Sequence, residues 1–464
     1  MDISSRAERM NLSCLCNLLF RALAKIFASS TCSLMKTLLQ LDEFLHPSPV
    51  VAPTSGSELP WLPQDILMDI FALLETPDLV RAGSVCASWR AAYTSLCATE
   101  HCKLQRTPCL LYTSESMGER AMGLYSLAEK KAYTLTLPDP PIRTREVIGS
   151  SYGWIITADE RSELQLVNPI TGDQIALPSV TTIEQVEPIF DDAGTLCNYE
   201  YLWYTGEEWL YDKPSILDLS ELRDMLFDKA FLSSDPSTGD YFVVLIHDPE
   251  CQLSFARAGD NEWTWLPPHT CYEDCQFQGG LLYATTALGE IHAFDLCAPA
   301  VTMKIVLERV KWSASDRVYI VQAPSGELLQ ITRSNGKDYD SILELSTPPP
   351  NKTNRIKVHK VDLTSEKLVV EVGTLGENVL FIGRNQSLCL CAKEYPQLKP
   401  NHAYFTDDYF LDVTCHKNDR RDIGEFDLKN NRNKEIVSPQ LWSNSPTPVW
   451  LVPNLRRMSL ASHN

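Results

Sequence analysis

From residue 105 onward, short apolar runs alternate with polar turns, and the pattern recurs roughly every forty residues. "YGWIITAD" (152–159) leads into "ELQLVNPITGDQIALP" (163–178), and "GDYFVVLIHD" (239–248) into "EWTWLPP" (262–268). "GGLLYATTALGEIHAFDL" (279–296) and "RVYIVQAPSGELLQITR" (317–333) each fold back on a glycine-bearing turn, and 367–384 and 424–437 continue the plan. Gly239, Gly280 and Arg317 mark the spacing, and residues 334–355, with Pro348, Pro349 and Pro350, read as an insertion within it. A lone hairpin is marginal in water and leaves two edges of unpaired backbone groups. Closing repeated hairpins into a ring removes those edges, so the expectation is a β-propeller over 105–453 with about six to eight blades. An open β-sandwich array is the alternative.

In front of the repeats stands "WLPQDILMDIFALLETPDLVRAGSVCASWR" (61–90), with a different period. Pro63 suits a first helical position, where a missing N–H costs nothing. Ile66, Ile70, Leu73 and Leu74 then recur at helical spacing, as do Leu67 and Phe71. Thr76 before Pro77 reads as an N-cap, Gly83 as a helix stop and Ser84 as a third cap. The third helix carries Val85, Cys86, Trp89, Ala92, Tyr93 and Leu96 on one stripe. Three short helices in about forty residues make a small core, and the apolar residues cover more than one face of the first helix. The whole chain thus reads as an α+β multidomain protein, a small three-helix module followed by an all-β propeller.

The order Leu62-Pro63, Ile66-Leu67, Ile70, Leu73, Leu79, Val85-Cys86, Trp89-Arg90 resembles an F-box. The resemblance implies that the module docks on a Skp-type adaptor, which ties it to a cullin–RING ubiquitin ligase. Leu62, Pro63, Ile66, Leu67, Ile70, Leu79, Val85, Cys86, Trp89 and Arg90 are then the adaptor-binding candidates, shared with the module's own core in a proportion the sequence leaves open. A helical hairpin with no partner is the bland alternative. A second segment, "VLFIGRNQSLCLCAKEYPQLKPNHAYFTDD" (379–408), resembles the signature of plant F-box proteins carrying a KIB-type β-propeller. The Gly-Arg-Asn turn, the Pro-x-Leu-x-Pro-Asn run and Tyr-Phe-Thr-Asp-Asp carry it, and "NPITGDQIALP" suits the same family. It implies a substrate receptor: an F-box at 59–98 in front and a recognition propeller behind. An extension at 1–45 places Leu12, Leu15, Leu19, Ala22 and Ile26 on one helical face and is too short to span a bilayer. It reads as a helical or poorly ordered extension, with a transit peptide as the other reading. A Pro/Ser linker (46–58) and a tail (454–464) complete the layout.

A formal net charge of −19 repels phosphate backbones and argues against nucleic-acid binding. Fifteen cysteines, an odd number scattered through apolar runs, read as reduced thiols in a cytosolic or nuclear setting. His269, Cys271 and Cys275 have the wrong spacing for a four-ligand zinc site, so no metal and no cofactor are expected. The acid pairs Asp191-Asp192, Glu207-Glu208 and Asp407-Asp408 read as solvated turns and not as a hydrolytic dyad. No nucleophile elbow or phosphate loop is present in the sequence, and no catalytic residue is expected. "YEYLWYTGEEWLYD" (199–212) is dense in aromatics. Core strands explain it, but as a contact surface it nominates Tyr201, Trp203, Tyr204 and Trp209 for substrate binding, with the 334–355 insertion as the other candidate. The functional expectation is a non-catalytic receptor subunit that presents a protein target for ubiquitination. The alternatives are a propeller that sequesters partners without ligase assembly and, further off, a propeller hydrolase or sugar-binding protein.

Overall fold

A computed structural model describes residues 62–458, apart from 73, 99–105, 206–209, 212, 311–315, 336–351, 364–366, 410–419 and 457. The extension at 1–45, the linker at 46–58 and most of the 334–355 insertion lie outside the described residues. The chain divides into two compact units, Met1–Arg106 and Thr107–Asn464.

In the first unit, helices α1 (Gln64–Ala72), α2 (Thr76–Ala82) and α3 (Ala87–Ala98) form where the 3.6-residue period placed them. Their ends differ from the expected ones. The Pro63 carbonyl accepts the first helical bond from Leu67 N–H, so Pro63 stands just outside α1. Glu75 is the N-cap of α2, and Thr76 is helical; its hydroxyl instead accepts a hydrogen bond from Arg106 Nη1 at 3.0 Å. Gly83 is right-handed (φ −62°), so it does not end α2 through a left-handed turn. A Cβ there would lie 2.7 Å from Tyr93 Cγ, so the glycine lets α3 approach. Cys86, whose carbonyl receives Arg90 N–H, opens α3, and Ser84 turns its hydroxyl back to Val80 O. Leu67, Ile70, Phe71, Leu79, Trp89, Ala92 and Leu96 are buried, with Phe71 and Trp89 edge to face at 5.1 Å.

The second unit is a propeller with six blade sheets among the described residues. Blade 1 comprises Cys109–Tyr112, Ala121–Ser126 and Lys131–Thr136, completed by Val449–Leu451 from the far end of the chain. Blades 2 to 5 are four-stranded antiparallel sheets that begin at the inner strands Glu146–Ser151, Phe227–Leu232, Tyr272–Gln278 and Arg317–Gln322. Blade 6 has five strands, and Asn378–Ile382 pairs in parallel with His402–Phe405. The segment 379–408 builds this crossover, because Leu388–Cys391 folds back on one side of Asn378–Ile382 before the chain returns on the other.

Six apolar layers separate consecutive blades. Leu111, Val147 and Ile155 lie between blades 1 and 2, Ile156 and Leu245 between 2 and 3, and Phe255 and Tyr272 between 3 and 4. Ile291 and Ile320 fill the layer between blades 4 and 5, and Ile331 and Phe405 the one between 5 and 6. Tyr112 and Trp450 pack with Phe381 between blades 6 and 1, so the ring closes. Inner strands such as Phe227–Leu232 are buried at every position, whereas the outer strand Lys131–Thr136 alternates. Inner strands touch neighbours on both faces and read as continuous apolar runs. Between blades 2 and 3 the chain inserts a separate sheet of Val186–Phe190, Leu196–Tyr201 and Ser215–Asp218, followed by α4 (Leu219–Leu226). Asp218 and Glu221 cap α4 with a reciprocal capping box. Within blade 5, Ser334 pairs with Arg355, so the proline-rich insertion connects two neighbouring strands.

Candidate docking surfaces

The adaptor candidates sort by burial. Leu67, Ile70, Leu79 and Trp89 are 3%, 4%, 0% and 8% exposed and belong to the unit's own core. Leu62, Ile66 and Val85 are half-buried, and Pro63, Cys86 and Arg90 are exposed. α1 and α3 run antiparallel, because Gln64 Nε2 donates to Ser95 Oγ at 2.8 Å at one end while Phe71 meets Trp89 at the other. The outward residues therefore form two patches, Leu62-Pro63-Ile66 at one end of the pair and Val85-Cys86-Arg90 at the other. Val80, 39% exposed on α2, is an apolar surface residue that sequence reasoning passed over. Its helical spacing was visible, but which side of so short a helix faces water was not.

The propeller axis carries a buried ionic network that the sequence reading missed. Lys229 on the inner strand of blade 3 pairs with Asp274 on that of blade 4 at 2.7 Å. The other oxygen of Asp274 accepts Ile320 N–H from blade 5 at 3.0 Å and Ser387 Oγ from blade 6 at 2.6 Å. One carboxylate thus ties four blades. Burial pushes its pKa up, against the pull of Lys229 and those donors. Arg317 bridges Glu273 at 2.9 Å and Asp228 at 3.3 Å, and burial pushes Glu273 up to about 7 in spite of Arg317. The available signal was the charged residues set inside apolar runs, as in "FDKAFL" (227–232).

Asp407 and Asp408 are each 1% exposed, which overturns their reading as solvated turn acids. Asp408 accepts from Arg333 Nη1 at 3.1 Å and Tyr319 OH at 2.9 Å, and Asp422 holds the other side of the same guanidinium at 3.0 Å. Arg333 also lies over the Phe405 ring at 4.6 Å. Asp408 and Asp422 thus join blades 5 and 6. Asp191 and Asp192 are exposed, as expected, and Glu207 and Glu208 lie outside the described residues.

A cavity of about 260 Å³ lies against the inner strands and is lined by Ser150, Gln276, Phe381, Asn385, Leu388 and Trp450 among others. Its lining contains no carboxylate. The axial acids sit instead in ion pairs, so a hydrolytic dyad does not converge there. Among the described residues no cluster of three metal-ligating side chains occurs. Cys275 is fully buried, and His269 stacks on Trp265 at 4.5 Å. Of the substrate-binding candidates, Tyr201 is fully buried and edge-on to half-buried Trp203 at 4.8 Å. It is therefore a wall of the core between blades 2 and 3 and not a contact surface. Tyr204 pairs with Tyr211 in a two-stranded ribbon, and Trp209 lies outside the described residues.

Comparison with known proteins agrees with this architecture. A family model described as KIB1-4 beta-propeller matches residues 124–427, and an F-box-like model matches 59–96. The Arabidopsis thaliana F-box protein KIB4 is 23% identical over 337 residues, covering 69% of this chain and 79% of its own. The F-box protein SKIP23 of the same plant is 22% identical over 415 residues, covering 85% and 96%. The three short helices followed by a closed ring of six blade sheets among the described residues, together with these two matches, place the chain among the plant F-box proteins that carry a KIB1-4 beta-propeller.

Proposed function

We propose that the protein is the substrate-recognition subunit of an SCF-type cullin–RING ubiquitin ligase, working in the cytosol or nucleus. The module at 59–98 docks on a Skp-type adaptor, and the propeller at 105–453 holds a target protein. The observation that carries this reading is the division of the F-box: Leu67, Ile70, Leu79 and Trp89 complete a core, yet Leu62, Pro63, Ile66, Val80 and Val85 still present apolar surface. Such surface on a small helical unit fits a groove on a partner. The protein acts by proximity, raising the effective concentration of target lysines near the charged ubiquitin-conjugating enzyme, and supplies no acid, base or nucleophile itself.

Co-expression with a Skp-type adaptor and a cullin tests this. The wild type is expected to retain both. Ile66→Ala with Pro63→Ala is expected to lose adaptor affinity by roughly thirtyfold, the equivalent of about 2 kcal/mol at an anchor. Helicity and melting temperature should not change, because neither side chain is in the core. Adaptor retained without cullin would support the sequestering scaffold instead, and no adaptor at all would overturn the reading.

A further inference from the structure

The inserted sheet is not needed to close the ring, since the blades on either side of it, 2 and 3, pack directly against each other. One of its faces is spent on the core: Val186, Tyr199, Tyr201 and Leu217 are buried. Strand alternation sends Glu187, Ile189, Asn198, Glu200, Ile216 and Asp218 to the other face. Ile216 is 68% exposed, the most of any large apolar residue described, and Phe190 at the end of the hairpin is 57% exposed. Glu187 and Glu200 stand directly opposite each other, and Glu200 stands directly opposite Ile216. Two like charges in that position repel. Neither forms an ion pair among the described residues. Residues 186–218 hold eight acids and a single base, Lys213. An exposed isoleucine beside an unrelieved carboxylate pair is matched by a partner that brings an apolar side chain flanked by cations.

We infer that this face docks a basic, apolar-anchored segment of the protein that the propeller recruits. The inference rests on the substrate-receptor reading and assigns that role to the inserted sheet. The cationic side chains neutralise Glu187 and Glu200, and the apolar one covers Ile216.

The test uses the full-length chain and a short synthetic peptide alternating Arg and Leu, followed by fluorescence anisotropy at low and physiological ionic strength. A Glu/Leu peptide is the control ligand. Glu187→Lys with Glu200→Lys is expected to weaken the Arg/Leu peptide at least about tenfold, with the loss growing as salt is lowered. Ile216→Ser is expected to weaken it several-fold at both salt concentrations. Glu115→Lys with Glu119→Lys, which changes net charge equally at an exposed loop of blade 1, should leave affinity within about threefold. Equal losses for both charge-reversed pairs, or no peptide binding by the wild type, would overturn the inference. So would a dimer in sedimentation that Ile216→Ser dissolves, or hydrogen-exchange protection of this face by the chain itself without peptide. Adaptor capture is measured on the same variants. If the adaptor is retained while peptide binding fails, only the docking face is lost; if the wild type captures no adaptor, the ligase reading falls and the peptide result stands by itself.

Discussion

His247 is fully buried in blade 3, with Nδ1 2.8 Å from the Asp248 carbonyl and Nε2 2.8 Å from Ser254 Oγ. A carbonyl only accepts, so Nδ1 carries the proton and Nε2 accepts from the serine. Burial pulls its pKa down from 6.5 to about 4. Between those values the unfolded chain binds a proton that the folded one excludes, so the contribution is complete above pH 6.5 and fades as pH falls towards 4. From pH 7.5 to pH 5 the wild type should therefore lose about 2 kcal/mol that His247→Gln does not. Asp248, pushed up to about 7 mainly by burial, slopes the opposite way over an overlapping range. The measurement is accordingly the difference between the two proteins in denaturant unfolding at each pH. At the axis, Lys229→Met leaves the Asp274 carboxylate buried without its cation and should cost about 3–5 kcal/mol. Lys229→Met combined with Asp274→Leu should recover most of that in thermal unfolding, and failure to recover would mean that the bonds to Ile320 and Ser387 matter more than the ion pair.

In the F-box, buried and outward side chains are separable helix by helix. Leu79 is fully enclosed, so Leu79→Ala should cost about 2–5 kcal/mol and lower helicity and adaptor capture together. That outcome contrasts with the outward pair Pro63 and Ile66, whose loss should affect capture alone. Gly83→Ala meets Tyr93 at 2.7 Å and should destabilise the module by about 1–3 kcal/mol, read from its thermal midpoint. The sequence located the three helices, because their apolar spacing is local. It misplaced the caps, because Thr76, Gly83 and Ser84 are spent on Arg106, on Tyr93 and on the end of α2. The same reason hid the role of Asp408: a side chain's neighbours across two blades are not written next to it.

For the molecule as a whole, stability depends on the strand Val449–Leu451, which completes blade 1 against Cys109–Tyr112. Trp450 there packs edge-on to Phe381 at 5.2 Å and Tyr404 at 5.9 Å, joining blade 6 to blade 1. Truncation before Val449 would uncover an apolar edge and open one of the six layers. The truncated protein should unfold at a lower temperature and over a broader range than the full chain and aggregate in sedimentation, whereas truncation after Arg456 should leave both unchanged. The recurrence of apolar runs and turns was enough to read a propeller and a three-helix module from the chain, because each hairpin and helix is specified by residues close in sequence, and the resemblance of 62–90 to a family motif identified that module as an F-box. The number of blades, the parallel crossover of blade 6, the inserted sheet and the axial carboxylates were settled only by the tertiary structure. Each depends on which strands become neighbours in the ring, and that is decided by packing between residues tens to hundreds of positions apart, such as Lys229 with Asp274 and Ser150 with Trp450.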